Sequence, residues 1–440
     1  MGLHDKLPED LQTVDVIVAG GGSAGCIVAA RLTEAYPDLS ILLIEQGSNN
    51  YQVPEVIHPG LFPRNIAPGS DTALFWQGNH AKQLADRSPV VPSGGILGGG
   101  SSINWMVYTR AQRSDFDSWK QSGWTADELL PYLKKFETYH GKGENLKFSS
   151  APVSKWSSLS KVLTPKETIN NLISGRADVK DMIAKKHELL GWNSMDASGK
   201  FRPTDKDVAA LGPDFEAAWK RDFANSPDRP LMIIAMYLSF LADSDHSVLP
   251  DDAEYISCAN WTAYPYSRGH IHITGPELSD RIDFNVGYLT DPGDVDLKKH
   301  IWAYKLPREM FRRMSIYRGE LAIGHPRFPA GSQAAVVEKA DGPVPDDTPP
   351  IQYTEEDDKA IEQKIRATVG TTWHSLGTCK MAAKEQKGVV DNQLSVHGTK
   401  GLKLADLSVP PVNVGANTNN TALMIGEKAA DLFVEYLAAK

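Results

Sequence analysis

Cysteine is scarce in this chain. Cys26, Cys258 and Cys379 are the three among 440 residues, they lie far apart, and no C-x-x-C pair occurs. That excludes a disulfide framework and a cysteine-based zinc site, and it fits a reducing compartment. No apolar run approaches the roughly 20 residues that cross a bilayer. The opening residues, MGLHDKLPEDLQ, contain no apolar stretch of signal-peptide type. Gly2 is followed by Lys6 where a myristoylation signal wants Ser or Thr, and the last residues, Leu437-Ala438-Ala439-Lys440, are not S-K-L. The expectation is a cytoplasmic location with no membrane partner. A sustained basic run is also missing: 46 Lys and Arg stand against 55 Asp and Glu, a net charge of −9. That argues against a nucleic-acid or anionic-membrane surface. Lys185-Lys186-His187 and Arg312-Arg313 sit in helix-like segments and read as solvated faces. The length allows two or three domains and a large core.

What is present begins with residues 15–45, DVIVAGGGSAGCIVAARLTEAYPDLSILLIE. Val16, Ile17 and Val18 form a β-branched run of the kind a buried parallel strand uses. Gly20, Gly22 and Gly25 supply G-x-G-x-x-G, with Ser23 and Ala24 between. Gly20 allows the tight turn, Gly22 lets a pyrophosphate approach the backbone, and Gly25 lets helix and strand pack closely. Residues 24–32 are rich in helix formers, so free N–H groups and a positive dipole end face the phosphates. Ile41–Ile44 make a second strand. Glu45 follows it 20 residues after Gly25, the usual distance for an acid that accepts ribose hydroxyls. A lone glycine fingerprint is weak; two strands, a helix and a spaced acid make dinucleotide binding the reading.

Residues 47–78, rich in Pro, Asn and Gly, read as surface loop. Next comes VVPSGGILGGGSSINWMVYTR over residues 90–110. Three glycines and two serines in a row make a backbone-rich loop that can lie against a planar or phosphorylated ligand. Near the other end stands TTWHSLGTCKM, with His374 beside Trp373. Residues 401–411 read as a strand ending in Asp406 and a turn, where an aspartate alone is an ordinary turn or cap residue. Residues 413–429 read as a polar loop carrying Asn417 and Thr418 into a helix N-terminus, with Asn419 and Asn420 as capping or loop residues.

These stretches resemble the glucose–methanol–choline oxidoreductases, flavoproteins that oxidise alcohols, and residues 98–110 are most similar to their alcohol-oxidase branch. The resemblance continues in Ser114-Asp115-Phe116-Asp117-Ser118-Trp119, Gly123-Trp124 and residues 129–135; Ala111 stands where a glycine is common. It implies FAD as cofactor, held by Gly20, Gly22, Ser23, Ala24, Gly25, Glu45, Gly99, Ser101, Ser102, Asn104, Asp406 and Thr418. It implies His374, in its W-H-x-x-G-T setting, as the active-site base, and Asn417, 43 residues later, as the second active-site side chain. The chemistry suits these residue types. A carbinol hydride goes to flavin N5, a histidine takes the hydroxyl proton, and an amide stabilises the developing charge on oxygen. The implied partners are a small alcohol and O2; a homo-oligomer is left open. Trp105 reads equally as a pocket wall or a core tryptophan.

The implied fold is α/β: a truncated Rossmann-like FAD domain with a βαβ core, plus an α+β substrate domain on a mainly antiparallel sheet. The divisions are residues 1–150, the N-terminal part of the FAD domain; 151–365, the substrate domain; and 366–440, the C-terminal part carrying the catalytic pair. Helices are expected over 127–139, 164–185, 214–223, 295–313 and 357–368, and strands over 230–242 and 253–274. A linker is expected over 141–163 and loops over 207–213 and 338–358. His270 and His272 alternate with Ile271 and Ile273 on a half-buried strand; with no third ligand nearby, no metal is expected.

One feature of the family is missing. Its middle stretch carries an adenine-contacting strand, a Ser-Pro signature followed by Ser-Gly-Ile-Gly, and a Gly-x-Asn-x-x-Asp-His turn, and none occurs here. The resemblance stops near residue 146 and resumes near 164. Losing those strands should leave a sheet edge or apolar face uncovered. Two alternatives to a flavin-dependent alcohol oxidoreductase follow: a non-catalytic or mis-spliced remnant without stable flavin, and a nicotinamide-dependent dehydrogenase. The LGGGSS and W-H-x-x-G-T elements speak against the second.

Overall fold

A computed structural model describes residues 2–9, 11–138, 169–173, 175–239, 255–277 and 279–439. In chain order the elements begin with β1 (Val16–Ala19), α1 (Ser23–Ala35), β2 (Ile41–Ile44), α2 (Pro54–Ile57), α3 (Phe62–Asn65), β3 (Ala73–Gln77) and β4 (Val90–Gly94). They continue with α4 (Gly100–Ile103), α5 (Arg113–Asp117), α6 (Ala126–Lys135), α7 (Ile169–Ile173), α8 (Val179–Ala184), β5 (Met195–Phe201), α9 (Asp205–Ala210) and α10 (Pro213–Asp222). The rest are β6 (Met232–Tyr237), β7 (Ser257–Thr262), β8 (His270–His272), β9 (Asp283–Asn285), α11 (Val295–Phe311), α12 (Glu355–Thr368) and α13 (Asn419–Ala438).

The fold is mixed α/β. β1 and β2 pair in parallel, Val16 opposite Ile41 through Ala19 opposite Ile44, with α1 as the crossover. β5, β6 and β7 form an antiparallel sheet with β6 at the centre. All six residues of β6 are buried, because α10 and α11 pack with the sheet into one apolar cluster containing Phe215, Trp219, Ile233 and Trp302. A second cluster joins the two ends of the chain. Val28 and Leu32 of α1, Trp119, Trp124 and Leu129 pack with Met381, Val390, Met424 and Ile425.

α13 lies directly on α1. A Cβ on Gly426 would come within 3.0 Å of Ala24 Cα, so glycine there permits the close approach. Buried Glu427 of α13 receives Arg31 of α1 at 2.8 Å and Lys135 of α6 at 2.9 Å. Burial alone would raise that carboxyl, but the two cations hold it below the ordinary range.

Three expectations are corrected. Residues 47–78 are not simple loop: they hold α2, α3 and β3, and Leu61 and Phe62 bury against Ile169, Leu172 and Leu190. The prolines read as breakers begin short helices instead, as Pro does in a first turn. The strand at 270–274 is not half-buried. Among the described residues β8 pairs with β9 alone, a two-stranded piece too small to bury a face, and Ile273 is 87% exposed. Residues 401–405 form only an isolated bridge, Lys403 with Ser395. The helix expected over 164–185 appears as α7 and α8, with Gly175 at positive φ between them. The linker expected over 141–163 lies outside the described residues.

Among the described residues the parallel sheet has two strands. Its outer side chains are uncovered: Ile17 is 60% and Ile44 is 52% exposed. This is the open apolar face that missing family strands would leave.

Asp115, at 2% exposure, ties the halves together: it accepts from Gln112 N–H at 2.9 Å, Gly415 N–H at 2.9 Å and Tyr264 Oη at 2.6 Å. Truncating it would strand buried donors from two distant segments. Asp115→Ala should therefore lower unfolding free energy by about 2–4 kcal/mol, read by denaturant titration.

Candidate active site

The site is built where three N-terminal ends meet. Gly20 ends β1 with φ +101°, a conformation glycine adopts freely. A Cβ on Gly25 would sit 2.2 Å from Gly20 O, so the first turn of α1 closes onto β1 only with glycine there. Space in front of Gly20 and Gly22 is open. Ala24 is buried under α13. Glu45 spans the loop, accepting from Gly21 N–H at 2.8 Å and from Gly47 N–H at 2.8 Å.

The second glycine loop lies on the first. Gly98 N–H donates to Gly21 O at 2.7 Å, and Gly99 passes so near Gly22 that a Cβ would reach its Cα at 2.9 Å. α4 starts at once, so Ser101 and Ser102 occupy a helical turn. Ser101 Oγ lies 2.7 Å from Ser23 Oγ and receives Asn419 Nδ2 at 2.7 Å. Ser102 Oγ donates to Leu97 O at 2.7 Å, and Asn104 Oδ1 accepts from Met106 N–H at 2.6 Å.

Asn419 thus links the flavin-type loops to the C-terminal pair. Asn417 Nδ2 lies 3.0 Å from His374 Nε2, and Thr418 Oγ1 lies 2.9 Å from His374 Nδ1. Thr109, from the end of the second glycine stretch, contacts Asn417 twice: its Oγ1 accepts Asn417 N–H at 2.8 Å and donates to Asn417 Oδ1 at 2.9 Å. Burial pushes the His374 imidazole down to about 4 from its ordinary value, offset in part by the Trp373 backbone. Trp373 itself has φ +60°, strain on the order of 1–3 kcal/mol for a bulky residue, placed directly before the histidine. Its ring lies 4.8 Å from that of Trp105, which also meets Phe62 at 4.8 Å and Tyr237 at 5.3 Å.

The structure therefore brings together Gly20, Gly22, Ser23, Gly25, Gly99, Ser101, Asn417, Thr418 and His374. Asp406 is exposed and accepts from Ser408 N–H at 2.7 Å within its own turn. Sequence reasoning missed Thr109, which lies in a stretch singled out for its glycines, and Asp115, which carried no spacing signal. Asn419 and Asn420 are tertiary contacts rather than caps: Asn420 is buried and donates to Tyr108 Oη. His270 and His272 stack at 5.1 Å and His270 faces Asp283 at 3.3 Å; among the described residues no group of three metal-ligand side chains forms. Among them, too, no helix is long and apolar enough to cross a membrane.

A dinucleotide fits this cradle. The open space before Gly20 and Gly22, the N-terminus of α1 and the carboxylate of Glu45 suit a pyrophosphate and ribose. Among the described residues the sheet beside this cradle has two strands, β1 and β2.

Fold and site together define a nucleotide-cofactor oxidoreductase with a histidine–asparagine pair. Family models of the GMC oxidoreductase type match residues 14–189 and 265–426. The chain belongs to the GMC oxidoreductase family, whose cofactor is FAD, and with it to the alcohol oxidase and dehydrogenase type of flavoenzyme. It is 30% identical to the alcohol oxidase of Candida boidinii over 98% of this chain and 96% of that protein. It is also 30% identical to the alcohol oxidase of Pichia angusta, over 96% and 95%. The first of these alignments is 642 positions long and holds 98% of this 440-residue chain, so about 210 of its positions are gaps in this chain. Among solved structures, the formate oxidase of Aspergillus oryzae RIB40 shares the fold with a TM-score of 0.70 at 16% identity, covering 96% of this chain and 98% of that one. A fungal aryl-alcohol oxidase shares it at 0.58 and 16%, over 97% and 99%.

Because the folded site resists protonation of His374 until about pH 4, the unfolded chain binds the extra proton between there and about 6.5. Stability is therefore fully present above pH 6.5 and declines as pH falls toward 4. His374→Gln should flatten that part of the pH–stability curve relative to the unmodified chain, measured by denaturant unfolding at pH 7, 6 and 5.

Proposed function

We propose that this chain oxidises the CH–OH group of a small alcohol, with His374 as base, Asn417 as its hydrogen-bonding partner and O2 as electron acceptor. The contact that carries this reading is Asn417 Nδ2 to His374 Nε2 at 3.0 Å, on a loop whose next residues reach Ser101 of the glycine cradle. An alcohol oxygen at that junction gives its proton to Nε2 and accepts from the Asn417 amide. The negative charge that develops on oxygen as the proton leaves is then met by a fixed donor. FAD, when bound, supplies the hydride acceptor. Gly20, Gly22, Ser23, Ala24, Gly25 and Glu45 would hold its pyrophosphate and ribose, and Gly99, Ser101, Ser102, Asn104 and Thr418 its flavin side; Asp406 is assigned to the ribityl chain by family resemblance. Trp105 and Trp373 wall the alcohol site. In this reading residues 1–150 and 366–440 form one flavin domain and 151–365 the substrate domain, in keeping with the two main apolar clusters.

One observation favours a second reading, a remnant that does not retain FAD: the uncovered Ile17 and Ile44 on a two-stranded sheet. Bound flavin absorbs between about 350 and 500 nm, so purified protein mixed with FAD and desalted separates the two. A coloured protein whose bands bleach anaerobically with primary alcohols supports the oxidoreductase. A colourless one supports the remnant. With flavin retained, His374→Gln should slow bleaching by roughly 10²–10⁴, the range for a lost base, at unchanged flavin content. An unchanged rate would remove His374 from the role.

A further inference from the structure

We propose that Thr109 is a positioning residue that sets the tautomer of His374, leaving Nε2 bare and the proton on Nδ1. The inference deepens the proposed function and rests on it. It starts from the one donor in the cluster whose identity is beyond choice. The backbone N–H of Asn417 points at Thr109 Oγ1 from 2.8 Å, so that oxygen must accept. The threonine's single proton is then free for Asn417 Oδ1, 2.9 Å away. With Oδ1 used as acceptor, the amide turns its NH2 to His374 Nε2 at 3.0 Å. A ring nitrogen facing an N–H donor must itself accept. In a neutral imidazole the proton therefore sits on Nδ1, where Thr418 Oγ1 receives it at 2.9 Å.

The reverse orientation is poorer. With the amide swapped, Oδ1 would face Nε2 and require a proton there, and the Thr109 hydroxyl hydrogen would lose its acceptor. In a half-buried cluster each such loss is unfavourable. The arrangement matters because only an unprotonated Nε2 can accept a hydroxyl proton; its one lone pair holds the Asn417 amide hydrogen until an alcohol O–H takes that place. Two threonines from opposite ends of the chain, Thr109 and Thr418, thus hold the pair in a proton-accepting state before substrate arrives. Burial, which keeps His374 neutral, decides that the ring has one proton; the threonines decide which nitrogen carries it.

The test is the imidazole nitrogen spectrum of protein labelled with ring-15N histidine, with the His374 signals identified by their absence in His374→Gln. The expected result is a pyridine-like Nε2 and a pyrrole-like Nδ1 near pH 7. In Thr109→Val, Nε2 should gain proton and alcohol-driven flavin bleaching should fall by roughly tenfold to a hundredfold, while Thr109→Ser keeps the Nδ1–H ring and most of the rate. An Nε2–H ring in the unmodified chain overturns the proposal however the variants fold. So does a Thr109→Val protein whose ring keeps the Nδ1–H form. The tautomer is read without turnover, so its failure is distinct from a failure of His374→Gln to slow oxidation.

Discussion

Helix α13 crosses α1 with glycine at the contact, and the rest of the site depends on that crossing. Gly426 lets the helix axes come close enough for Ala24 to lie beneath it, and buried Glu427 anchors the same face to Arg31 and Lys135. A larger residue at 426 would push the N-terminus of α13 away from the glycine turn that opens α1. Because Asn417, Thr418 and Asn419 sit at that N-terminus, their distance from Ser23 and Ser101 is set by how two helices pack. Packing of this kind is stiff: interiors are close-packed, so a shift at the crossing reappears at the helix end.

The same economy governs the His374–Asn417 pair. His374 comes from an irregular segment after α12, with its preceding residue in a strained left-handed conformation. Such a segment has little rigidity of its own, and its ring is held by Asn417 and Thr418 from a helix N-terminus and, through Thr109, by the end of the second glycine stretch. Asp115 adds the third tie, joining Gly415 of that loop to Tyr264 just after β7 of the antiparallel sheet. The site therefore lies between two apolar clusters and is pinned to both, so its two sides cannot drift independently.

The shortened sheet bears on cofactor retention more than on chemistry. The gaps that separate this chain from the alcohol oxidase of Candida boidinii amount to about 210 alignment positions, yet Thr109, His374, Asn417 and Thr418 are present and in contact. What is left uncovered is the outer face of β1 and β2, where Ile17 and Ile44 meet solvent.

The fingerprint at Gly20 to Glu45 was legible in the sequence, because a tight turn, a close helix and a carboxylate one βαβ unit away are local demands met by local residue types. The helices at 213–222, 295–311 and 355–368 were legible for the same reason, as was the suspicion attached to His374 and Asn417. The 270–274 strand shows the limit: alternating residue types can suit a half-buried strand without the neighbouring strands that would bury a face. Thr109, Asp115 and Asn419 were silent, since a threonine, an aspartate and an asparagine announce nothing until a partner more than 100 residues away supplies the other half of the hydrogen bond. Residue identity and spacing suggested the class of cofactor, and the resemblance those residues carry to the glucose–methanol–choline oxidoreductases suggested the kind of chemistry. Its alignment, and the nitrogen that bears the proton, belong to long-range packing, which joins groups that no local pattern connects.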